Sequence, residues 1–137
     1  MTILLTGGTG KTSIHLARFL QDAKIPFLLA SRKAEAEAPS GMAATKFDWL
    51  DSSTFENPFQ HISLGERRIS AVYLAAPEVL DPVLSMNAFI DYAANKHGVK
   101  RYVLLAGSTT AKGGYFVGKV WQHLVDVGVE YCVLRPT

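Results

Sequence analysis

The sequence predicts a doubly wound α/β fold, a parallel sheet with helices packed between its strands. Three observations lead there. Short apolar runs alternate along the chain with longer stretches of helical periodicity. Several of those runs, such as ISAVYLAA and YVLLAG, are almost unbroken, as strands buried on both faces of a parallel sheet require. A glycine-rich turn, TGGTGKT, joins the first apolar run to the first helical stretch.

Taken in order, residues 2–6 (TILLT) are the first strand. A helical pattern follows over 11–23, with Ile14, Ala17 and Leu20 recurring on one face. The second strand covers 26–31. AEAEAPSGMA (34–43), with Pro39 and Gly41, is a polar connection holding at most a short helical turn. A third strand is expected at 45–48, a helical stretch around 52–61 and a fourth strand at 69–75. Residues 82–96 form a helix that stops at NKHG, where a basic residue precedes a C-capping glycine. A fifth strand at 101–106, a helix over 114–125 and a sixth strand at 130–134 complete the pattern. Right-handed crossovers then give the Rossmann-like order 3-2-1-4-5-6, with the ligand crevice where the first and fourth strands diverge.

The composition fits one domain spanning 1–137: 48% hydrophobic and 19% charged residues are enough for a buried core and a solvated surface. A net charge of +2 gives no strong pull toward nucleic acid or anionic membrane. Apolar runs such as IPFLLA fall well short of the roughly 20 residues of a membrane span. The N-terminus lacks the basic-then-apolar pattern of a secretory signal. Cys132 is the single cysteine, so no internal disulfide forms. A cytoplasmic protein is expected, and nothing calls for a metal.

The glycine turn has two readings. Gly10, Lys11 and Thr12 match the second half of the ATPase phosphate loop G-x-x-x-x-G-K-[ST], but its first glycine would fall on Leu5. As a dinucleotide turn it fits better: Thr6, Gly7, Gly8, Thr9 and Gly10 bring the backbone close to a pyrophosphate, whose charge meets the helix that Lys11 and Thr12 open. The third glycine of that fingerprint is replaced by Ser13, which is still small. Where NAD-binding proteins usually carry an acidic residue, the second strand ends in Ser31, Arg32 and Lys33. A guanidinium at Arg32 can grip a 2′-phosphate in two-point fashion, so NADP(H) is the expected cofactor. Asp48 in KFDW can accept from the adenine amino group or cap the helix near Ser52. Ala75 and Ala76, at the end of the fourth strand, let a flat cofactor lie against backbone.

At the catalytic end, Ser108 lies just past the fifth strand, and Tyr115 and Lys119 are four residues apart. On a helix the last two would share a face, and an ammonium beside a phenol favours its phenolate. Gly113 and Gly114 could instead leave Tyr115 in a loop. Tyr-x-x-x-Lys resembles the acid–base pair of the short-chain dehydrogenase/reductase superfamily, and TGGTG with the closing Arg-Pro-Thr resembles its NmrA-like branch. The segments TILLTGGTGKT, PFLLASRK, KFDWLD, ISAVYL, YVLLAGS and VLRPT are similar to the festuclavine/agroclavine dehydrogenases of ergot alkaloid biosynthesis. That resemblance implies an NADPH-dependent reduction of the cyclic iminium derived from chanoclavine-I aldehyde. Members of that family need not carry the tyrosine, because an iminium carbon is already electrophilic. Ser108 and Lys119, the latter holding the nicotinamide ribose, are then stronger candidates than Tyr115.

Dehydrogenases of that family continue past Arg-Pro-Thr into a substrate-binding portion. The sheet face behind VYLAA, VLLAG and CVL is therefore expected to lie open, and a second protein chain is expected to supply the C-terminal half. A non-catalytic NADP-binding sensor of the NmrA type and an inactive fragment are the other readings.

Overall fold

A computed structural model describes residues 1–7, 10–36, 38–65 and 67–135. Six strands, β1 (Thr2–Thr6), β2 (Phe27–Ser31), β3 (Ala44–Lys46), β4 (Ile69–Leu74), β5 (Arg101–Leu105) and β6 (Glu130–Leu134), alternate with three α-helices. These are α1 (Lys11–Asp22), α2 (Val83–His97) and α3 (Val117–Val127). The strands form one parallel sheet in the order β3-β2-β1-β4-β5-β6, the arrangement that the alternating pattern predicts.

The unbroken apolar runs have the expected consequence. Leu4 and Leu5 of the central strand are both fully buried, on opposite faces of the sheet. Leu4 packs in the cluster with Phe89 and Ile90 of α2 and Leu124 of α3. Leu5 packs with Ala17 and Leu20 of α1. Helix α2 ends as its sequence requires: Gly98 adopts φ 66° and its amide donates to the Ala94 carbonyl. Lys96 and His97 in the last turn complement the helix dipole.

Three elements depart from the expected boundaries. β3 is short and shifted, and Phe47 and Trp49 leave it to pack edge-on against each other at 5.0 Å and against Phe89 of α2 at 4.9 and 5.6 Å. Such aromatic pairs contribute about 0.5–1.5 kcal/mol beyond area burial, enough to draw this segment off the sheet. The stretch expected to be helical around 52–61 is a series of 3₁₀ turns, Ser52–Thr54, Asn57–Gln60 and Ile62–Leu64. Pro58 lacks the amide an α-helix would use there, and the Asn57 side chain donates to the Lys46 carbonyl at 3.0 Å. Finally, α3 begins at Val117 rather than Gly114, after a loop in which Phe116 holds φ 51°.

The two faces of the sheet are covered unequally. α2 and α3 cover one, and α1 covers the β2–β1 side of the other. Beyond α1 on that second face, Val103 and Leu105 of β5 are half-buried. Cys132 and Leu134 of β6, which pair with them in register, are exposed. Among the described residues, no helix is long and apolar enough to cross a membrane.

Candidate functional site

The C-terminal ends of β1, β2 and β4 and the segment after β3 converge on a cleft of about 460 Å³ at the switch between β1 and β4. Its lining includes Gly7, Gly10, Ser31, Arg32, Asp48 and Ala75.

The glycine turn is built for close approach. Gly7 has φ +62°, and a Cβ there would stand 3.2 Å from the Ala75 Cβ. A Cβ on Gly10 would stand 3.1 Å from the Gly7 carbonyl oxygen, to which the Gly10 amide donates at 2.8 Å. Gly10 is the N-cap of α1, and among the described residues no side chain caps the helix. The first amides of a twelve-residue helix therefore carry their partial positive charge without a side-chain acceptor. Lys11 and Thr12 are in the first turn with exposed side chains. Gly8 and Thr9 lie outside the described residues.

Thr6 and Ser13 hold this turn in place from below. Thr6 is fully buried; its hydroxyl donates to the Tyr73 carbonyl at 2.6 Å and accepts from the Ala75 amide at 2.9 Å, tying β1 to the end of β4. The Ser13 hydroxyl donates to the Thr6 carbonyl at 2.8 Å. Ser13 thus fills the third-glycine position with a hydrogen bond that ties α1 to β1.

At the end of β2, Arg32 is exposed at the cleft, and beside it Ser31 is only 8% exposed. Among the described residues the Ser31 hydroxyl has no hydrogen-bond partner, an unusual state for a buried polar group. Asp48 is half-buried; one carboxylate oxygen accepts from the Leu50 amide at 2.9 Å. The capping role that Asp48 could have taken belongs to Asp51, which accepts from the Ser53 amide. Ala76 lines the cleft beside Ala75, and Trp49 and Val79 add apolar surface. A free buried hydroxyl, an uncapped helix start, a glycine cradle and a guanidinium within one cleft fit the phosphate-bearing end of a nucleotide. Ser31, Trp49 and Val79 are lining residues that sequence reasoning did not single out; for Ser31 the signal was its place directly before Arg32.

The three catalytic candidates are not part of this lining. Ser108 is exposed in a turn closed by the Thr110 hydroxyl on the Gly107 amide at 2.9 Å. Tyr115 precedes α3 and is 88% exposed, so it does not share a helix face with Lys119, which is exposed on the first turn of α3. The loop geometry is the reason. The Gly113 amide donates to the Gly118 carbonyl at 2.7 Å, and that closure delays the helix until Val117. His123 is bound to Asp91 of α2 at 2.7 Å, as a residue joining two packed helices.

No family model matches the chain. Along its whole length it is 44% identical to agroclavine dehydrogenase of Claviceps fusiformis, over 138 aligned residues that make up 46% of that protein. Festuclavine synthase I of Penicillium roqueforti is 44% identical over 139 residues, 47% of its length. Festuclavine dehydrogenase of Aspergillus fumigatus is 44% identical over 142 residues, again 47% of its length. The resemblance to festuclavine and agroclavine dehydrogenases therefore covers the entire chain, and the chain spans about half the length of the curated relatives it matches. Among solved structures, a nucleoside-diphosphate-sugar epimerase of Staphylococcus aureus superposes with a TM-score of 0.74 at 16% identity, over 98% of this chain and 50% of that one. UDP-glucose 4-epimerase of Thermus thermophilus, in complex with NAD, gives 0.70 at 20% identity, over 98% of this chain and 54% of that one. The fold is thus a Rossmann-type parallel sheet.

Proposed function

We propose that this chain is the NADPH-binding part of an oxidoreductase that reduces a clavine iminium derived from chanoclavine-I aldehyde, completed in the cytoplasm by a second chain carrying the substrate-binding half. The observation that carries the reading is the cleft at the β1/β4 switch, where Arg32 and the free Ser31 hydroxyl stand beside the glycine turn. Bound there, NADPH would supply a hydride. The start of α1 would hold its pyrophosphate, and Arg32 with Ser31 its 2′-phosphate. Among the described residues Asp48 retains a free carboxylate oxygen for the adenine amino group, while Thr6 and Ser13 keep the turn against β4. Hydride addition to an iminium carbon leaves a neutral amine and needs no proton in that step. The exposed position of Tyr115 is therefore compatible with the chemistry. The half-open sheet face beside β5 and β6 supports a completing chain.

A second reading, a non-catalytic NADP-binding sensor, draws support from the absence of Ser108, Tyr115 and Lys119 from the cleft lining. Titration of the purified chain with NADPH and then NADH, followed by reduced-nicotinamide fluorescence, tests the shared part. Saturable NADPH binding with NADH roughly ten- to hundredfold weaker is expected. Arg32→Ala should bring the two affinities together. Turnover on adding the iminium substrate and a C-terminal companion separates enzyme from sensor, and failure of that companion to co-purify would refute the two-chain arrangement.

A further inference from the structure

At the opposite end of the sheet, where β4 begins and α2 ends, lies a second cavity of about 490 Å³. Its polar lining is cationic: Arg67 and Arg68 from the loop entering β4, and Lys96 and His97 from the last turn of α2. Phe59, Leu64 and Ile69 supply its apolar wall, and no carboxylate appears among the described lining residues.

The cavity is braced on both sides. The Arg67 amide donates to the Leu64 carbonyl at 2.8 Å, and the Arg68 carbonyl accepts from the Thr2 amide at 2.9 Å, so the backbone of both arginines is anchored. Arg67 uses one guanidinium nitrogen on the Ser63 carbonyl at 2.6 Å. Across from them, His97 stacks on Phe59 with ring centroids 3.8 Å apart and planes 4° from parallel. Glu56, beside the cavity, accepts from His97 Nε2 at 2.7 Å and pairs with Lys96 at 3.4 Å, fixing that wall. Among the described residues, one carboxylate, Glu56, stands beside two arginines and a lysine, and the cofactor cleft at the other end of the sheet uses none of them.

We propose that this cavity is a second anion site, for a small organic phosphate whose apolar body lies against Phe59 and Leu64. The volume falls in the range of small-molecule sites. Two guanidiniums and an ammonium offer more donors than the two oxygens of a carboxylate can use, which favours a phosphate.

The test titrates the chain with phenyl phosphate at fixed salt, following the backbone amide resonances of Ile69, His97 and Gly98. Saturable shifts are expected. The Arg67→Ala/Arg68→Ala double variant should weaken binding about tenfold, while Arg32→Ala leaves it unchanged. Inorganic phosphate and benzoate should each bind more weakly, the first for want of the apolar contact and the second for want of the third oxygen. Both arginines are exposed, so the double variant should keep the parent unfolding temperature, which serves as the control. Shifts that do not saturate, or that persist in the double variant, overturn the proposal. Loss of binding in Arg32→Ala also overturns it, by placing the anion in the cofactor cleft.

Discussion

Ser31 holds a hydroxyl that is nearly buried and unpaired, where a backbone turn or a neighbouring side chain would ordinarily supply a partner. Leaving such a group unsatisfied costs about 1–3 kcal/mol. Ser31→Ala should therefore leave the ligand-free chain as stable as the parent or up to about 1 kcal/mol more stable in urea unfolding. If the hydroxyl serves a 2′-phosphate, the same variant should bind NADPH several-fold more weakly; a purely structural serine would lose stability instead. Glu56 shows the opposite balance. Burial opposes its charge, but hydrogen bonds from Tyr92, His97 and Lys96 outweigh that and hold the carboxyl at about 2, below its ordinary 4.5. A folded-state value below the unfolded one means that the stabilisation is complete above about pH 5 and is lost as pH falls through 4.5 toward 2. The side chain is 25% exposed, so the contribution stays below the full shift. Glu56→Gln should cost about 1–2 kcal/mol at pH 7. Its unfolding curve should converge with that of the parent as the pH approaches the folded-state value.

Strands and helices whose apolar spacing alone determined their packing were legible in the sequence, and β6 (Glu130–Leu134) matches its expected span. The departures occur where tertiary contacts outvote local pattern. The third strand was cut short by the pull of Phe47 and Trp49 toward Phe89, a long-range contact that no local window contains. In the loop before α3 and the first turn of that helix the glycines were visible, but not what they do. Gly118 is the clearest case, because a Cβ there would lie 2.3 Å from the Ala111 carbonyl oxygen. Backbone cannot yield that distance cheaply. Gly118→Ala, normally favourable in a helix, should here destabilise the chain by about 2 kcal/mol or more, read as a lowered urea midpoint with an unchanged slope. An unchanged or raised midpoint would mean that the loop packs otherwise, and Tyr115 would again be free to join the helix beside Lys119. In the candidate site, Gly7, Gly10, Arg32, Asp48 and Ala75 were legible because their positions follow from strand ends. The burial of Ser31 and the double role of the Thr6 hydroxyl depend on strand pairing and could not be read locally.

Across the whole molecule, the sheet is finished on one face and unfinished on the other. Parallel strands ordinarily have both faces covered, yet Cys132 and Leu134 are exposed on the side that α1 does not reach, next to half-buried Val103 and Leu105. β6 is also an edge strand of the described sheet, so its outer backbone groups add to the surface a companion could use. Cys132 provides a direct probe because it is the single cysteine of the chain. In the chain alone a small neutral alkylating reagent should modify it at the rate of an accessible thiol. When a C-terminal half homologous to that of the curated relatives is co-expressed and co-purified, alkylation should slow by about tenfold or more. The companion would then occupy the face beside β5 and β6. Protection should be lost again in Leu134→Asp, which places a charge in the same patch without touching the thiol. A companion that binds but leaves the alkylation rate unchanged would have docked elsewhere, and the open half of the sheet would need a different cover.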